Sequence, residues 1–217
     1  MDTFRQAGVE DAEAVARLHA DSWRRHYRGA YADAYLDGDI LGERVRVWSS
    51  RLAVPTGTVT VLAEDDAGLA GFVHLVVDDD DRWGSLVDNL HVRLDRQRTG
   101  VGTDLLRRAA AAVVELAQTP AMYLWVQEQN QSAQRFYAAM GGTCVEKSPI
   151  ESPGGVPDRL VGAPVKLRIA WPDVADSALR RGVTDGRHAG RIGAVSAQLV
   201  QAPDQPGSGN CESESDL

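Results

Sequence analysis

Hydrophobic and polar positions follow two periods along the first 170 residues. Ala12, Val15, Ala16, Leu18, His19 and Trp23 recur at helical spacing and predict a helix over Glu10–Tyr27. A short strand at Thr3–Gln6 precedes it, and two further helical stretches follow, at about Ala30–Asp37 and Glu43–Leu52. Strands are expected at Thr58–Ala63, Ala70–Val77 and Ser85–Leu94, with Gly57, Gly68 and Gly84 marking the turns before them. Val101, Leu105, Leu106, Ala109, Val113 and Leu116 give one apolar side to a long helix over Gly100–Ala117. Met122–Val126 reads as a buried strand, and Gln131–Met140 as a short helix ended by Gly141 and Gly142. Thr143–Lys147 and Leu160–Ala170 close the sheet on either side of a Pro- and Gly-containing loop at Ser148–Arg159. The pattern is that of a mixed α/β domain.

Composition changes the picture at the C-terminal end. Every aromatic residue lies between Phe4 and Trp171, and the chain ends in QAPDQPGSGNCESESDL. A segment without aromatics and rich in Gly, Pro and Ser buries too little to order itself. The expected organisation is therefore a domain over residues 1–171 and a low-complexity, disordered tail over 172–217, with room for a short helix around Val174–Arg181. The net charge of −8 argues against a nucleic-acid binder but leaves an anionic small ligand open, since local basic clusters can outweigh the global balance. Cys144 and Cys211 do not make a disulfide framework, so a reducing cytoplasm is the expected compartment. The N-terminus lacks the pattern of a signal peptide, and no apolar run is long enough to span a membrane.

The most informative stretch is NLHVRLDRQRTGVGTDLL, from Asn89 to Leu106. A strand runs into the turn Gln97-Arg98-Thr99-Gly100-Val101-Gly102, and a helix begins there. Its first turn offers unpaired N–H groups and the positive end of the dipole, with Arg93, Arg96 and Arg98 just before it. Such a turn suits a pyrophosphate; the glycines alone fit a tight, ligand-free connection equally well. A dinucleotide fingerprint fails because Leu105 stands where its third glycine belongs, and no Gly-Lys-Ser/Thr makes a P-loop. A second constellation follows. Leu124-Trp125-Val126 leads to Asn130, Ala133, Phe136, Tyr137 and Gly141. Asn130 is placed to cap the helix, and Tyr137, seven residues on, falls on nearly the same face.

Together these segments resemble the GNAT superfamily of acyl-CoA-dependent N-acyltransferases. Gln97, Gly100 and Gly102 match its coenzyme A motif, and Asn130, Ala133, Phe136, Tyr137 and Gly141 match the motif after it, in the right order. The resemblance covers roughly residues 3–170. It implies a central mixed, mostly antiparallel, splayed sheet flanked by helices, with the pantetheine arm of acetyl-CoA beside Leu90, His91 and Val92. It also implies that the backbone N–H groups of Arg98, Thr99, Gly100, Val101, Gly102 and Thr103 hold the pyrophosphate, with Gln97, Asn130 and Tyr137 completing the donor site. A backbone N–H near Val92 would polarise the thioester carbonyl, and Tyr137 would be the general acid for the leaving thiolate.

Asp88, His91 and Glu128 are candidates for the base, with Asp88 the first choice. Strict strand alternation puts Asp88 with Leu90 on one face and Asn89 with His91 on the other. On the acceptor side, Trp23, Tyr27 and Tyr31 recur at i, i+4 and i+8; Asp33, Asp37 and Asp39 are candidates to attract a cationic amine, or a solvated run. Asp78–Asp81 reads as an exposed hairpin turn, and no His/Cys cluster has zinc-ligand spacing. The activity implied is transfer of an acetyl group from acetyl-CoA to a primary amine of a small molecule or protein, with no metal. The alternative is a non-catalytic acyl-CoA-binding sensor or scaffold, which would have no need of Tyr137. The resemblance admits a monomer or a homodimer.

Overall fold

The computed structural model describes residues 2–177 and Leu179; the rest of the expected tail, and the end of the helix expected around Val174–Arg181, lie outside the described residues. Seven strands form one sheet: β1 (Thr3–Gln6), β2 (Thr58–Asp65), β3 (Gly68–Asp80), β4 (Gly84–Val92), β5 (Met122–Gln127), β6 (Thr143–Pro149) and β7 (Val165–Trp171), in the order β1-β2-β3-β4-β5-β7-β6. All neighbours are antiparallel except β4 and β5. This is the mixed, mostly antiparallel sheet expected.

Five α-helices are described: α1 (Ala12–His26), α2 (Asp33–Leu36), α3 (Ile40–Ala53), α4 (Val101–Leu116) and α5 (Gln131–Ala139). Helices α1 and α3 cover one face of the sheet, where Val15, Ala16 and Trp48 pack with Leu62 and Phe72. Helix α4 covers the other face, where Leu105, Leu106, Ala109 and Val113 join Val73, Leu75 and Leu124, with Tyr137 and Met140 from the α5 segment. The neighbours Phe72 and Val73 thus belong to opposite layers, as strand alternation requires. Side chains set the helix starts: Asp39 accepts from the Gly42 N–H (3.0 Å) at α3, and Asn130 from the Ala133 N–H (3.1 Å) at α5.

The sheet does not close along β4 and β5. The two pair only at Ser85↔Met122 and Leu86↔Tyr123. Beyond that point β5 continues to pair with β7 from Met122 to Gln127, and β4 with β3 as far as Val92. Val87–Val92 therefore faces Leu124–Gln127 across a gap that no ladder fills.

Three expectations shift. The second helical stretch shrinks to the single turn Asp33–Leu36. The last strand starts at Val165 rather than Leu160: Pro164 cannot donate to a ladder, and Leu160 bridges to Tyr31 instead. The core also continues past Trp171, because Val174 and Leu179 are each only 1% exposed within the α4-side core and the Val174 N–H donates to the Pro120 carbonyl (2.9 Å). A chain cut after Asp173 loses both side chains. By the usual cost of emptying a buried aliphatic site, about 2–5 kcal/mol, its melting temperature should fall by roughly 5–15 °C. An unchanged melting temperature on calorimetry would show that the segment after Asp173 contributes nothing.

Candidate active site

The gap opens into a cleft of about 610 Å³ that joins the two faces of the sheet. Gln97, Arg98, Gly100, Gly102 and Thr103 line it at the start of α4; Asn130, Phe136 and Tyr137 line it from the α5 segment; and Trp23, Tyr27 and Arg44 line it from α1 and α3.

The turn before α4 has an unusual backbone. Gly100, the N-cap, sits at φ +101°, and Arg98 also takes the left-handed region at φ +62°. A non-glycine residue there is strained, which marks a conformation imposed by its surroundings. The Thr99 hydroxyl donates to the Arg96 carbonyl (2.7 Å) and fastens the turn. The Asp104 N–H is the first to bond back into α4, to the Gly100 carbonyl (3.0 Å). The amides of Val101, Gly102 and Thr103 thus stand at the positive end of a 16-residue helix. The Val101 side chain turns into the core, and Thr99 does not line the cleft.

A Cβ on Gly100 would meet nothing within 4 Å, whereas one on Gly102 would lie 3.6 Å from Val92 Cγ2 and 3.7 Å from Phe136 Cζ. The space beside the turn is open, as an anion cradle requires. Alanine fits at position 102, but the branches of valine reach into the cleft. Gly102→Val should weaken acetyl-CoA binding by about tenfold or more; equal affinity in a calorimetric titration would remove this turn from the donor site.

Arg93 and Arg96 do not serve the turn. Arg93 pairs with Asp65 (2.8 Å) and Asp95 (2.7 Å), and Arg96 with Asp65 and with Asp2 (2.6 Å). These pairs brace β1, β2 and the segment before α4. Of the three arginines, Arg98 alone lines the cleft.

A bulge in β4 changes which side chains share a face. His74 pairs with Asn89 and Leu75 with Val87, so Asp88 is the extra residue. Val87, Leu90 and Val92 pack towards the α4-side core. Asp88 turns the other way, to the Arg51 guanidinium of α3 (2.6 Å), and His91 shares a hydrogen bond of 2.8 Å with the Ser22 hydroxyl of α1. Asp88 therefore accompanies His91, against the strict-alternation expectation. The Arg93 N–H donates to the Ala70 carbonyl on β3 (2.8 Å). By strand alternation the amides of Leu90 and Val92 point away from β3, into the gap.

Tyr137 is 9% exposed and packs edge-on to Trp171; burial pushes its phenol well above the ordinary tyrosine range. It is a proton-bearing group throughout the physiological range. Burial also lowers His91 to about 4, with His26 adding to the effect and Asp88 opposing it, so His91 is neutral at pH 7. Glu128 pairs with Lys147 (2.5 Å) and does not line the cleft.

Trp23 and Tyr27 both line the cleft with their rings stacked (centroids 5.1 Å apart), but Tyr31 is buried behind them with Ala30 and Leu36. Asp33 and Asp37 are held by Arg28, and Asp39 caps α3, so none of the three lines the cleft. The Asp78–Asp80 segment is structural: Asp78 accepts from the Gln118 N–H, Asp79 from the Tyr123 hydroxyl and Asp80 from the Arg82 and Trp83 amides. Sequence reasoning missed His19, Ser22, Arg44 and Arg51. Their signal was faint: Arg44, Trp48 and Arg51 at i, i+4 and i+7 share one side of α3. Among the described residues no group of His, Cys, Asp or Glu is arranged to hold a metal, and no helix is long and apolar enough to cross a membrane.

Residues 13–141 match the family model described as acetyltransferase (GNAT) family. The chain belongs to this family. It is an acyltransferase of the acetyl-CoA-dependent type that the family comprises. Among individual proteins it is similar to the uncharacterized N-acetyltransferase YuaI of Bacillus subtilis (strain 168), with 28% identity over 177 residues, 81% of this chain and 95% of the relative. Its fold is similar to that of the Thermoplasma acidophilum PaiA N-acetyltransferase in complex with coenzyme A (TM-score 0.61, 18% identity, 79% of this chain and 99% of the other). It is also similar to that of Arabidopsis thaliana NAA60 in complex with acetyl-CoA (TM-score 0.59, 17% identity, 79% and 98%). The fold is thus common to this chain and to acetyltransferases solved with coenzyme A or acetyl-CoA.

Proposed function

We propose that this acetyltransferase moves the acetyl group of acetyl-CoA to a primary amine of a small molecule or protein, by direct attack and without a covalent enzyme intermediate. The observation that carries the reading is the gap between β4 and β5, with the α4 turn at one wall and Tyr137 at another. The backbone amides of Val101, Gly102 and Thr103 hold the donor's pyrophosphate, with Gln97, Arg98, Gly100 and Asn130 beside it. The Leu90 and Val92 amides face the thioester oxygen and stabilise the charge that develops there. The amine must attack as the free base, although most primary amines are protonated at pH 7. Asp88 receives that proton, directly or through water. As the C–N bond forms and the C–S bond breaks, the Tyr137 hydroxyl gives its proton to the departing sulfur.

The same reading places the reaction in the cytoplasm, without a metal. Release of free thiol from acetyl-CoA, measured against amines, polyamines, amino acids and peptides, tests it. The expected result is amine-dependent release well above the hydrolysis background. Tight acetyl-CoA binding with no amine-dependent release from any member of the panel would overturn it.

A further inference from the structure

On the α1/α3 face the cleft ends in a chamber whose charge is unlike that of a polyamine site. The charged side chains lining it there are Arg44, Arg51 and Asp88. Arg51 and Asp88 pair with each other (2.6 Å), and Asp88 also accepts from the Asn89 amide (2.6 Å). Arg44 donates to Glu43 (2.6 Å), but Glu43 also accepts from the Tyr35 hydroxyl (2.8 Å) and faces Arg159 (3.5 Å). One carboxylate is thus shared by two guanidinium groups, and positive charge is left over beside the chamber. The Arg44 side chain is only 12% exposed, lies 4.5 Å over the Trp23 ring, and has a buried Nε–H with no hydrogen-bond partner among the described residues.

His19 adds a second unmatched donor. It lines the cleft at 3% exposure, and its Nδ1 lies 2.9 Å from the Trp48 indole nitrogen. Indole only donates, so Nδ1 must be the acceptor and the proton of the neutral ring sits on Nε2. That Nε2–H has no partner among the described residues. Burial, His91 and the nearby Arg44 and Arg51 all keep His19 neutral.

Buried donors without acceptors are costly, and a buried guanidinium with an unmade N–H more so. Both of these N–H groups are closed off from the open cleft, and what the cleft meets on this side is the leftover charge of the Arg44 guanidinium beside the Arg51–Asp88 pair. That charge favours an anion in the space, and a carboxylate matches the planar guanidinium best. A second ammonium group in that space would face Arg44 and Arg51 instead. We infer that the acceptor is an amine that also carries a carboxylate, held by Arg44, with its amino group towards Asp88 and its apolar part along Trp23 and Tyr27. Acetylation of that amine rests on the function proposed above; recognition of the carboxylate does not.

Calorimetric titration of the full chain saturated with coenzyme A tests recognition without turnover. Three matched pairs serve as probes: L-leucine and 3-methylbutylamine, L-phenylalanine and 2-phenylethylamine, and L-lysine and cadaverine. At least one amino acid should bind about tenfold or more tightly than its decarboxylated partner. Arg44→Gln should bring that ratio close to one, and Arg44→Lys should restore part of it, with coenzyme A affinity as the check that both variants fold. The inference is overturned if no amino acid binds, if the decarboxylated amines bind as well or better, or if Arg44→Gln keeps the preference. An amino acid that binds with the preference expected, yet releases no thiol from acetyl-CoA, would uphold the carboxylate site and count against acetyl transfer.

Discussion

Tyr137→Phe is expected to lower kcat by about 10²-fold at nearly constant acetyl-CoA affinity, since general acid catalysis contributes about 10²–10⁴-fold and the thiolate is already a good leaving group. A fall in kcat with unchanged binding marks an interaction made mainly in the transition state. The ring keeps its contacts with Phe136 and Trp171, so the melting temperature should hardly move. Burial holds the phenol proton far into the alkaline range, so Tyr137 gives no alkaline limb to the rate within ordinary assay conditions. Wild-type turnover in the variant, with an amine that the enzyme accepts, would transfer the role to water or to another group.

Lowering the pH from 7.5 to 5 is expected to remove several kcal/mol of stability through buried histidines. His74, between the Thr60 hydroxyl and Trp48, and His91, beside Ser22, are both lowered to about 4, chiefly by burial. In the unfolded chain each titrates near 6.5. Between pH 6.5 and 4 the unfolded state binds protons that the folded state refuses, so stability falls with falling pH. The slope is about 1.4 kcal/mol per pH unit and site, or about 4 kcal/mol by pH 5 for the two together. Asp11 and Asp65, held down by Arg5 and Arg93, lose their contributions only at lower pH. Urea midpoints at pH 7.5 and 5 measure the effect; equal midpoints would mean that these imidazoles take up protons freely in the native state.

The long helices and the strand order of hydrophobic runs were readable because α1 and α4 carry their apolar residues on one side over four turns. The two motifs brought Gln97–Gly102 and Asn130–Tyr137 to the same cleft for the same reason: each is local, a cap or a turn followed by a helix. The bulge at Asp88 was not readable. One inserted residue leaves the composition of a strand unchanged, yet it moves Asp88 to the face of His91. The partners of Arg93 and Arg96 were hidden by distance along the chain, with Asp65 and Asp2 far from the turn those arginines precede. The absence of aromatics after Trp171 concealed Val174 and Leu179, two aliphatic residues that suffice to dock the segment. Ser22, Arg44 and Arg51 looked like ordinary polar positions because the wall they form exists only when α1 and α3 lie across β4.

A twisted sheet normally has two edges, and this one has four, because the divergence of β4 and β5 creates a facing pair inside the molecule. Exposed edges recruit other chains and favour aggregation. These inner edges converge at Ser85 and Leu86, within a cleft walled by residues of α1 and α5, so what enters between them must be slender. A molecule that fills such a slot is selected by the backbone as a missing strand would be: it must be extended, about one chain thick, and able to present amide-like groups along its length. A flat ring of equal volume meets none of those conditions, whatever side chains surround it.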